Sequence, residues 1–152
     1  MKKWLLVTIM LPVLLMGCSN TEGTTKDTPS EDLSGNAKAV KEVLEKNLQA
    51  TQEEDMEVYL STLVESGRES TKKEIEGFFK DYDIKYELLA FEVLEEEETK
   101  MKVESEQRAT AEYIAEGLSY HDHIARMEQT FVMEDGEWRI SESKIINTDI
   151  IN

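Results

Sequence analysis

Cysteine is nearly absent from this chain: Cys18 stands alone in 152 residues. One cysteine excludes an intrachain disulfide framework and a cysteine-built metal centre. Basic residues are also scarce, with 17 Lys and Arg against 33 Asp and Glu and a formal net charge of -16. That balance argues against nucleic acid as a partner and against electrostatic attraction to anionic lipid. Long apolar runs are missing too, because the stretch from Trp4 to Met16 falls short of the roughly 20 residues that a spanning helix needs. No glycine loop for phosphate, nucleophile elbow or zinc-binding histidine helix can be read in the chain, so no cofactor is expected.

What is present begins at the amino end. Lys2 and Lys3 precede the apolar stretch, which ends at the small residue Gly17 before Cys18. A basic start, a short apolar stretch and a small residue before a cut form a secretory signal. Leu15-Met16-Gly17-Cys18 resembles the lipobox of bacterial lipoproteins. The resemblance implies cleavage before Cys18 and a diacylglyceryl group on its sulfur, with acyl chains of the palmitate kind. Two chains hold a protein stably on a bilayer where one does not. Cys18 is thus expected to be a lipidation site and not a nucleophile, with the protein attached to the cell membrane and facing outside the cytoplasm.

The expected organisation follows from composition. Residues 1–17 form the lipoprotein signal peptide, and residues 18–35 carry the lipid and a polar tether. That tether is rich in Ser, Thr, Gly and acidic residues, with Leu33 its one large apolar group. Such a segment buries too little surface to order itself. Residues 36–152 form the folded domain.

Within that domain the apolar period is first helical. Val40, Val43, Leu44 and Leu48 make one stripe; Met56, Tyr59, Leu60 and Leu63 make a second; Ile75, Phe78, Phe79 and Tyr82 make a third. Thr51 to Glu54 and Thr71 to Glu74 read as capping boxes that open the second and third helices, and Ser66-Gly67 reads as a stop. After Asp83 the period becomes two. Ile84, Tyr86 and Leu88 alternate with charge, and a phase slip at Leu89-Ala90 predicts a bulge. Two long alternating stretches follow, and Asp135-Gly136 is a two-residue hairpin turn before a strand from Trp138. Three helices packed on one face of a curved antiparallel sheet of about four long strands is an α+β arrangement.

This order of elements, the helix around Asp55 to Leu60 and the closing strands around EDGEWRI resemble the nuclear transport factor 2-like (NTF2-like) superfamily, more narrowly its small bacterial lipoproteins. The resemblance implies a cone of curved sheet around helices, with a ligand pocket or active site at its open end. A register set by the Asp135-Gly136 turn would place Gln129 opposite Glu142 and Met127 opposite Lys144. Ser105 and Gln107 on the preceding strand share that inner face. Ser105, Gln107, Gln129, Glu142 and Lys144 are therefore the candidate pocket lining. A bulge that turned Glu142 and Lys144 outward is the alternative.

The stretch Tyr120-His121-Asp122-His123 is the most enzyme-like in the chain. Either histidine could act as a general base, but alternation sends Asp122 to the opposite face and no third metal ligand follows from spacing. A pair of ordinary histidines at the sheet rim is the blander reading, and the four glutamates from Glu95 read as a solvated loop. The expected function is a lipid-anchored, non-catalytic module for a small ligand or an envelope protein. The alternative is an NTF2-like isomerase or hydrolase using His121 or His123. A homodimer through the mixed-charge outer face of the sheet is a further expectation.

Overall fold

The computed structural model describes residues 33–151. The expected signal peptide, Cys18 and most of the tether lie outside the described residues. The folded part reaches back beyond residue 36, because Leu33 packs against the core and Ser34 caps the first helix, its Oγ accepting from the Ala37 amide at 3.0 Å.

Three helices precede four strands: α1 Gly35–Gln52, α2 Met56–Ser61, α3 Glu65–Asp81, β1 Tyr82–Glu96, β2 Lys100–Ile114, β3 His123–Glu134 and β4 Glu137–Ile150. The sheet order is β1-β2-β3-β4, and each neighbouring pair is antiparallel. This is the α+β architecture read from the sequence.

The helix boundaries differ from the sequence reading, and the backbone explains why. Thr51 lies inside α1, where its Oγ1 donates to the Asn47 carbonyl at 2.8 Å instead of opening a new helix. Glu54 takes a left-handed φ of 55°, and the Asp55 amide reaches back to the Ala50 carbonyl at 2.9 Å. That closes α1 and frees Asp55 to cap α2 through the Val58 amide at 3.0 Å. Next, Ile140 N–H donates to Thr62 O at 2.8 Å and Val64 N–H donates to Ile140 O at 3.0 Å. This tie to β4 ends α2 and holds the chain extended, so α3 starts at Glu65. Ser66-Gly67 therefore sits in the first turn of α3 and Thr71 in its interior.

In the sheet, the expected slip at Leu89 is present as a register shift between Leu88 and Ala90, one of three along β1 and β2. The hairpin turn is also as expected, with Asp135 at φ 53° and Gly136 at φ 81°, a combination suited to a type I′ turn. Met133 faces Trp138 and Phe131 faces Ile140. Beyond that point the register departs from the two-residue count. Thr130 pairs with Glu142 and Gln129 with Ser143, which leaves Ser141 as an extra residue. Glu142 and Lys144 consequently pair with Thr130 and Glu128 on the outer face and do not line the inner one. A second shift between Arg126 and Met127 follows. Each bulge adds bend and twist, so the sheet curves around the helices.

The core occupies one end of this curve. Ala37, Val40 and Leu44 of α1 pack against Met101, Val103, Phe131, Trp138 and Ile140. The other end is not filled, since every residue from Ser141 to Ile150 of β4 is exposed and α3 buries none of its residues fully. Among the described residues, no helix is long and apolar enough to cross a membrane.

Candidate functional site

At the unfilled end, α1, α2, α3 and the inner face of the sheet enclose a cavity of about 300 Å³. Tyr86, Gln107, Ala109, His123, Ala125, Met127, Gln129, Ser143 and Ile145 form the sheet wall, and Asn47, Leu48, Thr51, Tyr59, Ile75 and Phe78 form the rest. Every polar group in this lining is an amide, a hydroxyl or an imidazole. Among the described residues, no carboxylate, ammonium or guanidinium lines it, although the chain carries a net charge of -16.

Within the sheet wall, on the side toward the core, runs a short relay of hydrogen bonds. Gln107 Nε2 donates to Ser105 Oγ at 2.9 Å, Ser105 Oγ donates to Gln129 Oε1 at 2.9 Å, and Gln107 Nε2 also lies 3.4 Å from Gln129 Oε1. Gln129 Nε2 reaches Ser143 Oγ at 3.5 Å. All three residues of the relay are buried, with Ser105 only 1% exposed. Buried amides left unpaired would cost about 1 to 3 kcal/mol each, and mutual pairing removes most of that cost. The expected residues thus divide: Ser105 supports from the core side, Gln107 and Gln129 face the cavity, and Glu142 and Lys144 lie outside it.

The two histidines part company. His121 is exposed and precedes β3, whereas His123 lines the cavity. His123 Nδ1 lies 2.9 Å from the His121 carbonyl oxygen, which can only accept, so Nδ1 carries the proton and a neutral ring keeps Nε2 as its acceptor. Asp122 plays no part in orienting that ring: its carboxylate accepts from the Ala111 amide at 2.9 Å.

Aromatic side chains close the same end. Phe78 stacks on Tyr82 at 5.5 Å, Tyr82 meets Tyr120 at 5.8 Å, and Tyr120 meets the His123 ring at 5.5 Å. Burial, then the neighbouring phenols of Tyr120 and Tyr59, hold Tyr86 well above the ordinary tyrosine range. Burial first and the Asp122 charge second push Tyr120 up to about 12. Tyr59 is raised by burial and by Glu74. All three phenols are therefore protonated donors at neutral pH.

Several lining residues went unread in the sequence. Asn47 and Thr51 continue the stripe of Leu44 and Leu48 at helical spacing, and polar residues on a buried stripe were the available signal. Ser143 and Ile145 had no such signal, because only the extra residue at Ser141 turns them inward.

Comparison with known proteins agrees with this architecture. Among curated proteins no match is found. Solved structures match in fold: a cystatin-like fold protein of unknown function from Nostoc punctiforme shares 14% identity at a TM-score of 0.63, over 77% of this chain and 94% of its own. A type 2 hexachlorocyclohexane dehydrochlorinase (LinA) shares 10% identity at a TM-score of 0.65, over 77% and 89%. An NTF2-like protein of unknown function from Pseudomonas putida shares 10% identity at a TM-score of 0.60, over 72% and 84%. At such identities the likeness concerns fold alone, and that fold is NTF2-like. A family model described as the anti-sigma-I factor RsgI9, C-terminal domain, matches residues 42–151, and the chain belongs to that family.

Proposed function

We propose that this protein is a lipid-anchored, extracytoplasmic NTF2-like domain that binds a small ligand in the cavity at the open end of its sheet, without turning it over. The carrying observation is the neutral lining: Gln107 and Gln129 hold each other in place beside aromatic walls, an arrangement suited to recognition. Among the described residues, the lining contains amides, hydroxyls and an imidazole and no charged pair or metal-ligating cluster. The family description, which names an anti-sigma factor and not an enzyme, also favours binding over turnover.

The test is native mass spectrometry of the full chain isolated from a cell extract, alongside a Gln107→Leu, Gln129→Leu variant. A reproducible added mass that disappears in the variant supports the reading. No added mass in either form rejects a small ligand and moves the search to an envelope protein partner, by cross-linking on intact cells. Membrane attachment through Cys18 has its own test. Cys18→Ser should move the protein out of the membrane fraction, and an unchanged distribution rejects the anchor.

One observation favours a second reading. His123 lines the same cavity and its Nδ1 is engaged by the His121 carbonyl, which leaves Nε2 as the nitrogen that an isomerase or hydrolase of this fold would use as a base. A dehydrochlorinase is among the solved structures of the same fold, at 10% identity. The reading of His121 as base does not share this support, since that ring lies outside the cavity. If purified protein converts the molecule found by mass spectrometry and His123→Gln abolishes conversion while keeping binding, the enzyme reading replaces the binding one.

A further inference from the structure

We infer that the free edge of β4 pairs with the same edge of a second copy of this chain, joining the two sheets about a two-fold axis between Ile146 and Asn147. The inference is independent of the ligand reading above. It concerns the strand edge and not the mixed-charge outer face of the sheet, where Lys102 with Glu128 and Arg126 with Glu106 are already paired within one copy.

The edge is open and partly apolar. β4 is the last strand in the sheet order, and three of its exposed residues are Ile145, Ile146 and Ile150. A strand edge with unpaired backbone groups is a template for another strand. Ile140 shows which groups are free. It gives its N–H to Thr62 and accepts from Val64, so its backbone groups point away from β3. In an antiparallel ladder this direction alternates residue by residue. Phe131 faces Ile140, and the extra residues at both register shifts, Ser141 and Ile146, lie on β4. Counting by twos along β3 from Phe131 therefore finds the other outward positions of β4: Ser143 opposite Gln129, Ile145 opposite Met127, Thr148 opposite Ala125 and Ile150 opposite His123. Their β3 partners are evenly spaced, so these positions are evenly spaced along the edge. Among the described residues no other backbone group takes them up.

This edge is complementary to itself. In an antiparallel two-fold pairing Ser143 meets the partner's Ile150 and Ile145 meets the partner's Thr148, so every outward position bonds another and inner-face side chains stay beside inner-face side chains. On the outer face the same register sets Lys144 against the partner's Asp149, and symmetry makes that pair twice. Among the described residues Lys144 and Asp149 belong to no salt bridge within one copy, whereas Lys102 and Arg126 on the same face do. Opposite charges directly across a strand pair stabilise it, and like charges oppose it. Moving the register by one outward position sets Asp149 against the partner's Glu142 in one direction and leaves Lys144 against the partner's Ile151 in the other, and either move loses a bonding position. The pairing stops short of Ile140, whose edge is taken by Thr62 and Val64. Ser143 and Ile145 also line the cavity. The partner's Ile150 and Thr148 thus stand about 4.8 Å away from them and extend its wall.

The experiment follows the full chain by sedimentation, in detergent micelles held in excess over protein and at about 0.15 M salt, where the repulsion between two acidic copies is screened beyond roughly 8 Å. A dimer that dissociates on dilution is expected, and a monomer at every concentration up to the millimolar range overturns the inference. Lys144→Glu and Asp149→Lys should each weaken the dimer about tenfold, because each turns two attractive pairs into repulsive ones, and the double variant should restore it. A dimer indifferent to both reversals uses another surface, and the edge pairing is then overturned. Hydrogen exchange on the wild-type chain gives a reading without substitution. The amides of Ser143, Ile145, Thr148 and Ile150 should be protected in the dimer and exchange freely on dilution. Free exchange of these amides within a dimer overturns the pairing, and this holds even if a charge variant fails to fold.

Discussion

Ser105 Oγ donates to Gln129 Oε1 at 2.9 Å although the ladder pairs Ser105 with Met127 and Gln129 with Val103. The bond runs diagonally across β2 and β3, between positions two residues apart in register, which long side chains can span. It holds the Gln129 amide in one orientation from the core side. Ser105→Ala is expected to destabilise the protein by about 1 to 3 kcal/mol, the cost of leaving a buried acceptor short of its donor. In a double-mutant cycle with Gln129→Leu the losses should fall short of additive by about 0.5 kcal/mol or more. Urea unfolding of the four proteins checks this, and strict additivity would mean that the bond does not couple them.

The two ends of the sheet should respond differently to truncation. Phe131 is fully buried against α1, and Phe131→Ala is expected to cost about 3 to 5 kcal/mol. Ile145 is 59% exposed at the cavity rim, so Ile145→Ala should change stability by no more than about 0.5 kcal/mol. Comparable losses at both positions in urea unfolding would show that the open end is covered in solution.

Glu54 occupies a position built for glycine. Its φ of 55° closes α1, and its side chain is exposed. Left-handed backbone costs an L-residue roughly 1 to 2 kcal/mol, and glycine escapes it. Glu54→Gly should therefore raise stability by about 1 kcal/mol, less whatever the unfolded chain gains in freedom. A lowered denaturation midpoint would contradict this account of the α1 terminus.

Alkaline stability follows from the raised phenols. Tyr59, Tyr86 and Tyr120 stay protonated in the folded chain past the pH at which the unfolded chain ionises. Their contribution is complete below about pH 10 and is lost as pH rises through the folded values, because the unfolded state then binds fewer protons. For Tyr120 the window runs from 10.0 to about 12. Tyr120→Phe should flatten the fall of stability across that window. Tyrosinate absorbance during alkaline titration gives the direct reading, and ionisation of every phenol in one step near the ordinary value would refute it.

How much of the candidate site was legible depended on the range of the information each residue carries. Alternation in β2 was enough to put Ser105 and Gln107 on one face with Met101 and Val103, because pleating is local and allows no other arrangement. The Asp135-Gly136 turn was enough to set the register as far as Phe131 and Ile140. Glu142 and Lys144 were placed inward by the same count and are outward in the structure. Ser141 carries nothing in its own chemistry that announces a bulge. In the structure its Oγ bonds the Thr130 carbonyl at 3.1 Å, a contact that exists only after β3 and β4 have met. The capping boxes failed for a related reason. Thr51 and Thr71 have the residues of a helix start, but where α2 ends and α3 begins is decided by the ties of Thr62 and Val64 to Ile140, far along the chain.

The sequence by itself determined the class of this protein: three apolar stripes of helical period, four stretches of period two, a tight hairpin turn and an acidic surface, each a property of neighbouring residues. Only the tertiary structure decided the cavity. Its lining joins Asn47 and Thr51 of α1, Tyr59 of α2, Phe78 of α3 and Gln107, His123, Gln129 and Ser143 of the sheet, and the sheet curves around them by bulges at several points. A concave surface depends on where distant segments stop approaching one another. Short-range periodicity records which side of a strand faces inward, but not how far the inward faces stay apart.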